Sequence, residues 1–243
     1  MPETFENYLQ RSEILFGSGA MAKLARSRVL LAGAGGVGGY AAEALVRGGI
    51  GHLTVYDPDK VHPTNLNRQI LALRSTNNMF KTDVLQERLH DINPGLDLQV
   101  KNAALTRENI PQIIDEGNFD CIIDAIDSIN DKCFLLAYAY HKQIKTFSSM
   151  GAGCRVDPTR IQYADISKTH SCALAKNVRA KLKKEYNIVK GIECIFSCEI
   201  NPAAVIPGAP GERPVIGSSS FIPGIFGLFA AAGAINYLKT EIR

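Results

Sequence analysis

The sequence has no apolar segment near its start. Residues 1 to 10 carry charged side chains and no hydrophobic run of the length that export requires. The six cysteines all lie between Cys121 and Cys198. We therefore expect a cytoplasmic protein whose thiols stay reduced.

Paired Cys-x-x-Cys hooks, the usual ligands of a structural zinc ion, are also missing. The closest spacing is Cys194-x-x-x-Cys198, and it falls in an apolar segment that predicts a buried strand. Core thiols are therefore expected in place of a zinc site. There are no internal repeats and no low-complexity tracts, so the 243 residues are expected to form a globular core.

The charge is nearly balanced, with a formal net charge of +3 at pH 7. Such a weak excess permits an RNA or phosphate partner without arguing for one. No aromatic stacking motif or RNA-binding module is visible. A long apolar segment, Phe221 to Leu238, approaches the length of a membrane span, but Pro223, Gly224, Gly227 and Gly233 interrupt it, which favours a helix buried against a sheet.

A glycine-rich turn is the clearest signal in the chain. The apolar run Val29 to Ala32 predicts a buried strand, and the segment Tyr40 to Arg47 predicts the helix that follows it. Between them lie the glycines that would let the backbone approach a phosphate at the start of the helix, namely Gly33, Gly35, Gly36 and Gly38. The turn predicts a nucleotide site but does not choose between cofactors.

The next strand, His52 to Tyr56, ends at Asp57, about twenty residues past the turn, where a carboxylate typically holds a ribose. Asn65 and Arg68 follow, and Lys81 begins a further predicted helix, Lys81 to Leu89. Reaction at phosphorus builds negative charge that fixed cations stabilise, whereas hydride transfer does not need them. The pattern therefore favours nucleotidyl transfer from ATP over dinucleotide chemistry.

Two carboxylates follow the fourth predicted strand, Phe119 to Ile123. Asp124 and Asp127 would lie where nucleotides bind, and Asp127 is the better candidate to hold Mg²⁺ against phosphates. For Asp124, a turn or capping role before the predicted helix Ile129 to His141 is an equal alternative. The alternation of strands and helices predicts an α/β fold that is Rossmann-like and doubly wound, with a mostly parallel sheet and an elaborated C-terminal half.

Taken together, these residues resemble the adenylating enzymes related to the ubiquitin-activating, molybdopterin-synthase-activating and thiamine-thiocarboxylate-activating proteins. The resemblance spans about residues 11 to 155 and rests on the glycine turn, on Lys81 and on two motifs, Asp57-x-Asp59-x-Val61-x-x-x-Asn65-x-x-Arg68-Gln69 and Asp124-x-x-Asp127. It implies one adenylation-type domain over residues 1–243, with a nucleotide-binding half (1–150) and a substrate-side and dimer-side half (151–243).

The same resemblance implies roles for individual residues. Asp57 would hold the ribose and Asp127 the magnesium ion of ATP. The motif residues that accompany them at the nucleotide are Asp59, Asn65, Arg68, Gln69 and Lys81. Arg11, on a short predicted helix, would reach the terminal phosphates of the partner subunit's ATP, which implies a homodimer. Arg11, Arg68 and Lys81 would thus be the catalytic cations.

The second half is similar to the threonylcarbamoyladenosine dehydratase branch, also described as the partner of a cysteine desulfurase. The similarity rests on Ser148 to Gly153, Asp157 to Ile161, Asp165 to Thr169, Leu174-Ala175 with Arg179, and Phe196 to Glu199. It implies a tRNA substrate, modified next to the anticodon, whose threonyl carboxylate is activated with ATP. The substrate's own ureido nitrogen would then close a ring, helped by proximity. No DNA partner is expected.

Three features of this half stay open. Cys172 is the thiol we consider for covalent catalysis or sulfur acceptance. The basic helix predicted from Leu174 to Tyr186 either tracks tRNA phosphates or is a solvated surface. The segment Ile200 to Gly217, with four prolines and three glycines, predicts a mobile loop and a lid over the site.

Two alternative functions also remain. The chain could activate the C-terminus of a ubiquitin-like sulfur-carrier protein, although zinc hooks would then be expected. It could instead be a nucleotide-binding scaffold that passes sulfur between a cysteine desulfurase and an acceptor. The cation set at the phosphate site argues against the second, because a scaffold does not need charge stabilisation at phosphorus.

Overall fold

The computed structural model describes residues 8–200, 204–207 and 215–240. Helices and strands alternate along most of the described chain. The helices are α1 (Gln10–Phe16), α2 (Ser18–Arg26), α3 (Gly38–Arg47), α4 (Lys81–Ile92), α5 (Ile110–Gly117), α6 (Ile129–His141), α7 (Ala173–Tyr186) and α8 (Ile222–Leu238). The strands are β1 (Arg28–Ala32), β2 (His52–Tyr56), β3 (Asp97–Lys101), β4 (Cys121–Asp124), β5 (Lys145–Ser149), β6 (Ile161–Asp165), β7 (Glu193–Ser197), β8 (Val205–Ile206) and β9 (Val215–Ile216).

Seven strands form one sheet in the order β3-β2-β1-β4-β5-β7-β6. Every neighbouring pair is parallel except β6 and β7, which are antiparallel. The chain moves outward from β1 in both directions, so the strand order reverses between β1 and β4. This confirms the predicted doubly wound α/β fold and puts a crevice at the carboxyl ends of β1 and β4.

The central strands are apolar because helices cover both faces of the sheet. In β1, Val29, Leu30, Leu31 and Ala32 are all fully buried. Val29 and Leu31 belong to one core cluster, whereas Leu30 and Ala32 belong to another. Alternate residues of one strand thus face the two layers, as the near-continuous hydrophobic run predicts.

Helix α8 confirms the prediction of a buried helix, although some of its apolar side chains are exposed. Phe226, Ala230 and Ala234 are fully buried, but Leu228 and Phe229 are 48% and 39% exposed. Among the described residues, no helix combines the length and the apolarity that a membrane crossing requires.

Several predicted boundaries differ from the structure by one to three residues. Helix α4 ends at Ile92 and not at Leu89, and α7 begins at Ala173 and not at Leu174. Helix α3 begins at Gly38 and not at Tyr40. The fourth strand runs from Cys121 to Asp124, so Asp124 lies within the sheet and not beyond it. The predicted loop at 200–217 contains the short antiparallel pair β8 and β9, and residues 201–203 and 208–214 of it lie outside the described residues.

The contact between α8 and α3 gives a direct test of the packing. A side chain at Gly227 would collide with the carbonyl oxygen of Val37 and lie 3.1 Å from the Cβ of Tyr40. Gly227→Ala should lower the free energy of unfolding by about 1–3 kcal/mol in urea titrations. Gly19→Ala, in α2 with open space around its Cβ, is the matched control and should raise it by up to about 1 kcal/mol. Equal effects of the two substitutions would contradict this packing.

Candidate nucleotide-binding site

A cavity of about 800 Å³ opens at the carboxyl ends of β1, β2 and β4. It lies at the crevice that the strand order creates. All but one of the predicted nucleotide-binding residues line it, namely Gly33, Gly35, Gly36, Asp57, Asp59, Asn65, Arg68, Gln69, Lys81 and Asp127. The fold therefore brings together residues that are spread over about ninety positions of the sequence.

The remaining predicted glycine, Gly38, is the first residue of α3 and packs against the glycine turn outside the cavity lining. A side chain at this position would collide with the carbonyl oxygen of Gly33, so only glycine lets α3 begin this close to β1. The amide of Gly33 donates to the carbonyl of Tyr56 over 2.8 Å, which closes the turn against β2. Gly36 and Val37, which precede α3, line the cavity, so the amino-terminal end of α3 faces it and the helix dipole favours an anion there.

Asp57 connects this turn to the segment after β2. Its Oδ2 accepts from the amide of Ala34 over 2.6 Å, and its Oδ1 accepts from the amide of Asp59 over 2.8 Å. Burial raises the pKa of Asp57, while the nearby Lys81 and the two amide hydrogen bonds act in the opposite direction. The carboxylate is thus held rigidly at the edge of the cavity, where a ribose hydroxyl pair is expected.

Lys81 is a buried cation at the first residue of α4. Its Nζ lies 2.7 Å from Asp59 Oδ2 and 3.8 Å from Asp57 Oδ1. Only 5% of the residue is exposed, whereas 65% of the Asp59 side chain is exposed. The exposed carboxylate can turn away when a phosphate enters, which leaves the lysine charge for the incoming anion.

Asn65 ends a short 3₁₀ helix, Pro63–Asn65, between β2 and α4, and Arg68 and Gln69 follow it in the adjoining turn. Asn65 Oδ1 accepts from the amide of His62, and its carbonyl accepts from the amides of Arg68 and Gln69. Arg68 is half-buried, and among the described residues its guanidinium donates to nearby groups, the carbonyl of Thr64 and Oδ1 of Asn67. Its guanidinium is therefore available to phosphate oxygens without loss of a long-range contact.

Gln69 contributes an unused acceptor to the cavity wall. The residue is 8% exposed, and its Oε1 is buried without a hydrogen-bond partner in the part of the chain that the structure describes. A buried unpaired acceptor is costly and is expected at sites where a ligand donor completes it.

Asp127 projects from the loop between β4 and α6 and is exposed on the cavity wall. Described His, Cys, Asp and Glu residues do not form any group of three or more that could hold a metal ion. Mg²⁺ at nucleotide sites uses one or two carboxylates together with phosphate oxygens and water. The exposed carboxylate of Asp127 on the cavity wall fits that donor set.

Asp124 is not a metal ligand. It is fully buried, its Oδ2 lies 2.8 Å from Lys132 Nζ, and it accepts hydrogen bonds from Ser148 Oγ and the amide of Ile126. The sequence suggested a ligand, or a turn or capping residue before α6. The contact of Asp124 Oδ1 with the amide of Ile126, two residues on, fits the turn role, and β4 extends one residue further than predicted. The carboxylate therefore points into the core and not into the cavity.

Arg11 and Cys172 do not line this cavity. Arg11 is exposed on α1. Cys172 is 5% exposed and packs in a core cluster with Cys133, Met150 and Val178. Sulfur acceptance by Cys172 would therefore require the start of α7 to move.

Several residues of the cavity were not found by sequence reasoning. They are Lys60, His62, Asp131 and Ser218. Asp131 accepts from Ser128 Oγ over 2.7 Å. A serine followed three residues later by an acidic residue is typical of a helix start, and this spacing could have drawn attention to Asp131. Ser218 is distant in sequence from the other cavity residues. Its carbonyl accepts a hydrogen bond from Asn67 Nδ2, which holds it beside the cavity.

Comparisons with known proteins show the family of this chain. The ThiF family matches residues 9–242. The chain is 38% identical over 244 residues to the tRNA threonylcarbamoyladenosine dehydratase of Bacillus subtilis (strain 168). The alignment covers 96% of this chain and 95% of the relative. The dehydratase of Escherichia coli (strain K12) is 40% identical over 249 residues, covering 93% and 91%. The chain belongs to the tRNA threonylcarbamoyladenosine dehydratase branch of the ThiF family.

Crystal structures of the E. coli dehydratase share the fold of this ThiF-family chain. The complex with ATP has a TM-score of 0.87 and 35% identity, covering 96% of this chain and 94% of that one. The complex with AMP has a TM-score of 0.86 and 35% identity, covering 95% and 93%.

Removal of the Arg68 side chain tests the site of this ThiF-family chain. We expect Arg68→Ala to reduce ATP-dependent turnover by about 100-fold to 1,000-fold, because one charge-stabilising donor at phosphorus is lost. The unfolding midpoint should change little, since the guanidinium of the half-buried Arg68 donates to residues close to it in sequence. Arg74→Ala, an exposed arginine outside the cavity, is the matched control. Activity near wild type in Arg68→Ala would remove Arg68 from the phosphate site.

Proposed function

We propose that this chain dehydrates threonylcarbamoyladenosine in tRNA, next to the anticodon, in a reaction driven by ATP. The observation that carries the proposal is the joint position of Asp57, Arg68, Lys81 and Asp127 around one cavity. Similarity to named dehydratases over more than nine-tenths of the chain supports the choice of substrate. Since the substrate would be tRNA and all six cysteines are free, we assign the reaction to the cytoplasm.

The site residues have complementary roles in this proposal. The glycine turn and the start of α3 receive the phosphates, and Asp57 receives the ribose hydroxyls. An oxygen of the threonyl carboxylate attacks the α-phosphorus, and pyrophosphate leaves. Arg68 and Lys81 stabilise the charge that builds on the phosphoryl oxygens. Asp127 would hold Mg²⁺, which neutralises phosphate charge when it is bound.

Ring closure then needs no nucleophile from the protein. The ureido nitrogen of the same side chain attacks the activated carbonyl carbon and loses its proton, and the former carboxylate oxygen leaves with the phosphate of AMP. Proximity within one substrate supplies much of the rate. This agrees with the burial of Cys172, which is 5% exposed.

Activation of a sulfur-carrier protein is the weaker alternative. The sequence lacks the zinc hooks expected of such enzymes, and its similarity to the dehydratases extends through the C-terminal half. A cysteine desulfurase partner stays an expectation from the resemblance, because the thiol considered for sulfur acceptance, Cys172, is buried.

Helix α7 is our candidate for part of the tRNA-binding surface. Lys176, Lys183 and Lys184 are exposed on it. Arg179 instead donates to the carbonyl and hydroxyl of Thr169, so it fixes the helix on the body of the protein. Exposed lysines on a rigid helix suit the phosphate backbone of a folded RNA.

We further propose a homodimer in which Arg11 completes the partner's site. No residue of α1 is buried, and Ile14 and Leu15 are 81% and 74% exposed. Lys239 Nζ lies 4.6 Å from the centre of the Phe16 ring, which joins α1 to the C-terminal end of α8. Leu228 and Phe229, nearer the middle of α8, are also partly exposed, at 48% and 39%. Exposed apolar side chains on adjoining helices are typical of a subunit interface.

Mixing two inactive variants tests this role of Arg11. If Arg11 acts on the partner's site, Arg11→Ala and Lys81→Ala subunits form mixed dimers with one complete site. About a quarter of the wild-type activity per subunit should then return after random exchange. Each variant alone is the control. No recovery in dimers that have demonstrably exchanged would place Arg11 in its own subunit's site or outside the chemistry.

The function itself is tested by nucleoside mass spectrometry. Purified protein is incubated with tRNA that carries threonylcarbamoyladenosine, ATP and Mg²⁺. We expect the modified nucleoside to lose the mass of one water only when ATP is present. An unchanged nucleoside, together with ATP–pyrophosphate exchange that appears on addition of a carrier protein, would assign the chain to the sulfur-carrier activators.

A further inference from the structure

A fully buried ion pair lies beneath the loop that carries Asp127. The side chains of Lys132 and Asp124 are both 0% exposed, and Lys132 Nζ lies 2.8 Å from Asp124 Oδ2. Burial of two charges costs desolvation energy, so apolar residues of similar size commonly give equal or greater stability. A role other than stability must therefore be considered for the pair.

The other contacts of the pair converge on one residue. Lys132 Nζ donates to the carbonyl of Ile126 over 2.9 Å, and Asp124 Oδ1 accepts from the amide of Ile126 over 3.1 Å. Ser148 Oγ donates to Asp124 Oδ2 over 2.6 Å and fixes the carboxylate from β5. Both backbone polar groups of Ile126 are thus held by the buried pair.

Ile126 immediately precedes Asp127, and this loop faces the glycine turn. The amide of Ala125 donates to the carbonyl of Ala32 over 2.8 Å, and the Ala125 carbonyl lies against Gly33. Ala125, Ile126 and Asp127 all line the cavity, whereas Lys132 and Asp124 do not. The pair therefore acts on the cavity only through the loop.

We propose that Lys132 and Asp124 are a positioning pair that aims Asp127 at the phosphates of ATP. The inference rests on the proposed function. Neither residue touches the nucleotide, and their effect passes through the peptide groups of Ile126. Partners of metal-binding side chains typically change affinity or activity by about 10-fold to 100-fold when they are removed.

The test removes both charges together. Lys132→Met alone would leave Asp124 charged and unpaired in the core and could prevent folding. In the double variant Asp124→Asn with Lys132→Met, no buried charge remains and the shapes are nearly preserved. Urea titration and circular dichroism establish that it is folded at the assay temperature.

For the folded double variant we expect kcat to fall by about 10-fold to 100-fold while KM for ATP stays within about threefold. The Mg²⁺ concentration that gives half-maximal turnover should rise. Lys142→Met is the matched control, since Lys142 follows the same helix but pairs with Asp115 on the surface.

Two results would overturn the proposal. The first is a folded double variant with unchanged kcat and unchanged Mg²⁺ dependence. The second is a fall of kcat that is fully explained by the fraction of unfolded protein, because a purely structural pair would give that result. Failure of the proposed function is separable, because it leaves wild-type protein without tRNA turnover. In that case the affinity for ATP is measured with and without Mg²⁺ for the wild-type protein and for the double variant. If Mg²⁺ raises the affinity equally in both, the positioning role is refuted.

Discussion

The carboxylate of Asp57 joins the three parts of the nucleotide cavity. One oxygen accepts from the amide of Ala34 in the glycine turn, and the other accepts from the amide of Asp59 in the segment after β2. Lys81, at the start of α4, lies 3.8 Å away. Because this carboxylate is buried, its hydrogen bonds are protected from water and are stronger than on the surface. The turn, the segment after β2 and the cationic helix start thus depend on one side chain for their relative positions.

Much of this arrangement could be predicted from sequence because it is local. The glycine turn, Asp57 and Asn65 to Gln69 follow β1 and β2 directly, and parallel strands place their carboxyl ends together. Helix α6 begins and ends where its sequence pattern indicates, at Ile129 and His141. Strand pairing in the doubly wound order then follows from the alternation of apolar runs and amphipathic helices.

The features that could not be predicted depend on contacts distant in sequence. Asp124 follows an apolar run in the same way as a ligand would, and only its contacts with Lys132 on α6 and with Ser148 on the neighbouring strand β5 show that it is structural. The antiparallel strand β6 lies at the sheet edge beside β7, which follows it after a long connection. Ser218 reaches the cavity through Asn67. Neither periodicity nor motif spacing contains this information, because each case depends on which distant segments become neighbours.

The most direct test is whether the carboxylate oxygen of the substrate is transferred to phosphorus during turnover, since Arg68 and Lys81 are proposed to stabilise that attack. The threonyl carboxylate of the tRNA substrate is labelled with ¹⁸O, and the nucleotide and phosphate products are analysed by mass spectrometry. Activation of the carboxylate by ATP predicts one ¹⁸O atom on the phosphorus of AMP for each ring closed. Ring closure with the label absent from every phosphorus-containing product would contradict carboxylate activation, and with it the role assigned to Arg68 and Lys81.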